Sequence, residues 1–101
     1  MFKGGMASMM QKAQKMQSDM KIAQDEIKLL SCTGESASGA IKITINGQHQ
    51  ATAVEIDESL LDEKEMLEDL IMTSINDASS QINRISEEKI KDVTGGLNLP
   101  L

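Results

Sequence analysis

The sequence predicts an α+β fold: a helix, a three-stranded antiparallel meander, and a second, longer helix. Three observations carry that expectation. Apolar residues in the first thirty positions recur every three or four, those in the middle alternate every two, and the helical rhythm returns after Lys64. At 101 residues the chain is one domain, 1–101. Only Phe2 is aromatic against eight methionines, so a lone chain builds a modest core and gains from pairing with another.

The first helix is predicted over residues 6–30. Met9, Ala13, Met16, Met20, Ala23, Ile27 and Leu30 follow a heptad spacing, which Met6 and Phe2 extend backward. Such a narrow seam fits a helix packed on its own sheet and equally a helix–helix contact between subunits. On the second reading Met9, Met16, Met20 and Ile27 are candidate dimer-interface residues, with Met72 from the later helix.

The middle is strand-like. Ile41, Ile43 and Ile45 alternate with Lys42 and Thr44, and Asn46-Gly47 predicts a type I′ hairpin turn with positive φ at both residues. Ala51, Ala53, Val54 and Ile56 form the returning strand, and Cys32–Ala37 a weaker third. From Glu55 to Asp69 eight carboxylates face a single base, Lys64, which reads as a solvated helix start. The second helix is predicted from Lys64 to Val93, with Leu67, Leu70, Ile71, Ile75, Ala78, Ile82 and Ile85 inward and Met72 and Ile90 outside that arc. Gly95-Gly96 stops it, and 95–101 is expected to be a short mobile tail.

Composition excludes several classes. One cysteine forms no internal disulfide and favours a reducing compartment, and one Cys with one His builds no structural zinc site. There is no apolar run of about 18 residues to span a membrane, and the N-terminus does not read as a signal peptide. Cys32 and His49 are the one soft pair; the simpler reading is a buried thiol and a solvent-facing hairpin histidine. The acidic segment lacks calcium-loop spacing, and no glycine cluster matches a phosphate loop. The expectation is no enzyme, no metal and no cofactor.

A net charge of −6 argues against a generic polybasic binder, but the charge is uneven. Lys3, Lys12, Lys15 and Lys21 oppose only Asp19 in the first 24 residues, and the second helix ends with Arg84, Lys89 and Lys91. With almost no aromatics to stack bases, contact with duplex phosphates is the remaining nucleic-acid mode.

The chain resembles the YbaB/EbfC nucleoid-associated proteins. The residues that carry the likeness are Met1–Gly5, Met9–Gln17, Thr33–Ser36, Lys42–Gly47, Val54–Asp57, Asp62–Leu70 and Asn76-Asp77-Ala78, in order along nearly the whole chain. The last twenty residues match loosely. The resemblance implies a tweezer-shaped homodimer in the bacterial cytoplasm, associated with the nucleoid. It also implies duplex-DNA binding with relaxed sequence preference, a role in nucleoid organisation and gene regulation, and no catalytic residues. It places DNA contacts on the terminal helices, here Lys3, Lys12, Lys15, Lys21, Arg84, Lys89 and Lys91. A second reading is a dimeric adaptor in DNA repair or recombination, whose acidic face and Met-rich helix bind other proteins while DNA contact is incidental.

Overall fold

The computed structural model describes residues 2–95, with side chains from Gly5 onward. The element order is α1 (Phe2–Lys28), β1 (Ser31–Ser36), β2 (Ile41–Asn46), β3 (Ala51–Ile56) and α2 (Lys64–Thr94). Short 3₁₀ turns at Ala37–Gly39 and Glu58–Leu60 join β1 to β2 and lead from β3 towards α2. This is the predicted α+β architecture. The expected tail residues 96–101 lie outside the described residues.

The strands pair antiparallel in the order β1-β2-β3. Period two puts Ile41, Ile43 and Ile45 on one face, where α2 covers them, and turns Lys42 and Thr44 to the other. Cys32 from β1 and Ala78 and Ile82 from α2 complete the buried cluster. Around it lie Leu30, Leu60, Leu67, Leu70, Ile71 and Ile85. Of the positions expected to face inward on α2, Ile75 departs: it is 39% exposed. In its place Ser74 is fully buried, because its hydroxyl has partners. It meets the Ser36 hydroxyl at 2.7 Å and the Ile41 carbonyl at 3.4 Å, while Ser36 donates to the Leu70 carbonyl at 2.8 Å.

Gly34 lets β1 approach α2 this closely. A Cβ there would overlap the Ser74 carbonyl oxygen and press on the Ala78 amide. Gly47 has a similar role, and it corrects the predicted hairpin. The residue with left-handed φ in this turn is His49, at +62°, not Gly47. The loop instead closes around the Asn46 side chain, whose Oδ1 accepts from the amides of Gln48 and Gln50. Gly47 is needed because its backbone abuts Ile27 and Lys28 at the end of α1, and its N–H donates to the Leu30 carbonyl at 3.0 Å.

The two helices run antiparallel where they meet. Lys89 of α2 pairs with Glu26 of α1 at 2.9 Å, and one shallow cleft brings Met16 and Asp19 beside Val93 and Thr94. Ala23 is buried on this stripe, and Met16, Met20 and Ile27 are half-buried along it. At Gly95, with φ +62° and its N–H on the Lys91 carbonyl, α2 ends in a left-handed cap. α1 continues past that point by several turns. The radius of gyration is 20.1 Å and the extents are 75 × 21 × 17 Å, against a radius of about 13 Å for a compact domain of this length.

Candidate nucleic-acid interface

The protruding part of α1 forms an arm. Its sequence is helical throughout because Met, Ala, Gln and Lys lose little freedom in a helix. Residues 1–18 contain three lysines and no carboxylate. Lys12 and Lys15 are both exposed; Lys15 reaches Asp19 at 3.0 Å yet stays 78% exposed, a surface pair of little energetic weight. Lys3 lies in the first turn, with its side chain outside those described. Lys21 is exposed nearly two turns beyond Lys15 on the helix, flanked by Asp19 and Asp25 in sequence.

The other predicted contacts are placed differently. Lys89 is engaged with Glu26 and is half-buried. Arg84 and Lys91 are exposed, but Glu87 and Glu88 lie one turn from each along α2. The seven predicted cations therefore do not form one patch. Lys12 and Lys15, with Lys3 nearby in sequence, occupy the region poorest in acid.

The acidic segment is at the other end of the molecule. Since α2 starts at Lys64 and runs towards the arm for 31 residues, about 46 Å separates its acidic start from Gly95. Asp57 caps the turn there, accepting the Ser59 amide at 2.9 Å. That bond, seconded by the Ser59 hydroxyl, holds its carboxyl below the usual aspartate value. The chain is thus a rod with a cationic arm and an anionic far end.

The predicted dimer-interface residues also separate. Met16, Met20 and Ile27 lie on the stripe that faces α2 of the same chain, whereas Met9 and Met72 are 71% and 57% exposed. Sequence reasoning singled out Met72 but missed the exposed apolar residues Val54, Ile56 and Ile75. In the β2–β3 register Val54 stands opposite Ile43, and Ile56 opposite Ile41, so both share the face that α2 covers. But α2 sits over β1 and β2: Asp77 accepts the Glu35 amide and Gln81 donates to the Thr33 carbonyl, both on β1. All six residues of β3 are exposed. Val54 and Ile56 of β3 are open, and so are Ile75 and Met72 of α2.

Cys32 lies in the core and His49 is exposed on the hairpin turn, as the simpler reading of that pair expects. Among the described residues no group of His, Cys, Asp and Glu is arranged to hold a metal ion, and no helix is long and apolar enough to cross a membrane.

Among solved structures, the fold is similar to the crystal structure of the uncharacterized protein HP0035 from Helicobacter pylori. The TM-score is 0.62 at 24% identity, over 81% of this chain and 93% of that one. The family model of the YbaB/EbfC DNA-binding family matches residues 2–97, nearly the whole length and both the arm and the sheet. The chain belongs to the YbaB/EbfC DNA-binding family.

Proposed function

We propose that this protein is a homodimeric, nucleoid-associated protein that binds duplex DNA through phosphate contacts with relaxed sequence preference, in the bacterial cytoplasm, and so shapes nucleoid organisation and gene expression. The observation that carries the reading is the arm: an exposed helix with Lys12 and Lys15 at its base, beside the end of α2 at Thr94 and Gly95, and without a carboxylate before Asp19 in an otherwise acidic chain. Phosphates are met where the acids are not. Membership of a DNA-binding family supports the same partner.

The open surface of Val54, Ile56, Met72 and Ile75 supports pairing of two chains. Apolar side chains left open on a strand and a helix are what an obligate interface covers. A dimer formed there carries two arms. Each alone offers few phosphate contacts, and two on one duplex multiply their effect.

The test is a salt series. Affinity for a duplex should fall as salt rises, with a slope of about 0.9 per phosphate neutralised. Changing Lys12→Glu and Lys15→Glu together should abolish binding, while sedimentation stays at twice the 11.0 kDa chain mass. Binding indifferent to salt, or a double variant that binds like the parent, would reject phosphate contact by the arm. A folded 11.0 kDa species at micromolar concentration would reject the dimer.

A further inference from the structure

The arm carries more than charge. Met6, Met9 and Met10 are 66%, 71% and 61% exposed, and with Ala13 they follow the i, i+3, i+4, i+7 spacing of a single helix face. Along the chain the same stripe continues into the residues that pack on α2, but α2 stops at Thr94 beside Met16. Three large apolar side chains are therefore left uncovered by the described residues, on a helix bordered by lysines and glutamines.

Charge selects what covers them. A seam between two copies of this arm would gain no charge pairing along residues 6–18, since neither copy has a carboxylate before Asp19; paired helices normally set opposite charges beside such a seam. A polyanion with apolar groups in its recess matches both features. Duplex DNA presents that combination in its major groove, where each thymine exposes a 5-methyl group between two phosphate rails. Size agrees. A helix with side chains is about 10–12 Å across, the major groove about 12 Å wide, and the minor groove only about 6 Å.

Resting on the DNA-binding reading above, we propose that the α1 arm lies in the major groove with Met6, Met9 and Met10 against base edges and thymine methyls, while Lys12, on the flank of that stripe, meets a phosphate beside the groove. Methionine suits this because its unbranched chain adapts to whichever base edge it meets. The result is a bias towards thymine-containing duplexes without a fixed recognition sequence.

The experiment replaces thymine by deoxyuridine, which removes only the 5-methyl groups, and these lie in the major groove. Each methyl withdrawn from contact should weaken the parent protein by about fourfold. The variant Met6→Ala, Met9→Ala, Met10→Ala should bind the thymine duplex more weakly than the parent and no longer distinguish it from the deoxyuridine duplex. Its salt slope should be unchanged, because the lysines remain. Alanine favours helix and these side chains are exposed, so circular dichroism should report the arm intact. A parent that binds both duplexes equally, or a variant that still discriminates, overturns the groove placement and leaves the phosphate reading standing. A variant that loses the dimer instead assigns the stripe to contact between copies, which also overturns it. A parent that binds no duplex at low salt overturns the DNA reading itself, and this inference with it.

Discussion

The sheet with the first half of α2 and the arm of α1 are built from the same helical and strand periodicities, yet they end in opposite states. In the first region Ile41, Ile43 and Ile82 are at most 2% exposed; in the second, Met6, Met9 and Met10 are mostly exposed. The residue types differ accordingly. β-Branched isoleucines have few rotamers and fix a single packing, whereas methionines tolerate many neighbours. Rigid side chains stand where the partner is always the same, and adaptable ones where it is supplied from outside.

That contrast predicts where substitution is felt. The largest effect should come from Gly34→Ala. The added methyl meets the backbone of Ser74 and Ala78, which cannot rotate away, so β1 and α2 must separate. Overpacking of this kind typically costs about 1–3 kcal/mol, which for a domain of this size lowers the melting temperature by roughly 5–20 °C. Adding bulk to the arm instead should stay within about 0.5 kcal/mol. A thermal melt of Gly34→Ala that overlays the parent would show that the tight contact is not what holds the body together.

Gly47→Ala should come next. A type I′ turn needs glycine for its positive φ, but here the constraint is the backbone of Ile27 and Lys28. The two explanations separate on Gly47→Asn. Asparagine tolerates a left-handed turn and should be accepted if φ were the reason. If close approach is the reason, asparagine and alanine should both lower the melting temperature, by the equivalent of about 1–2 kcal/mol. A stable Asn variant would restore the turn explanation.

How far the sequence speaks follows from these cases. Periodicity depends on each residue's own face, so the three strands and both helices were legible within a few residues, as was the inward arc of α2 from Leu67 to Ile85. What failed needs knowledge of a neighbour. Ile75 has the spacing of a core residue, but α2 packs on β1 and β2 and leaves both Ile75 and β3 exposed. Ser74 looks like a surface residue until Ser36 is placed against it. Met16 and Met9 share one heptad seam and differ only because α2 ends between them. The lysines were legible as charges, while their separation into the acid-poor arm, the Glu26 pair and the Glu87-Glu88 neighbourhood depended on the fold.

The smallest predicted effect concerns the far end of the rod. The Asp57 carboxyl is held below its ordinary value first by the Ser59 amide and then by the Ser59 hydroxyl. A lowered folded-state pKa means that the ionised form is the one the fold favours. Its contribution is therefore present above the ordinary aspartate range and is lost as pH falls through the lowered value. Asp57→Ala should melt slightly below the parent near neutral pH, and the two should converge in acid. Melting curves that stay the same distance apart down to about pH 2 would show that the cap does not act through its charge. The same variant sharpens the comparison of arm and body. It removes one negative charge, yet α2 alone puts about 46 Å between the acidic end and the arm, and screening acts over about 8–10 Å. Within one chain, DNA affinity should not change. An Asp57→Ala protein that binds DNA more tightly would mean that the acidic end of one chain lies beside the arm of another, so that the two regions meet in the assembled molecule.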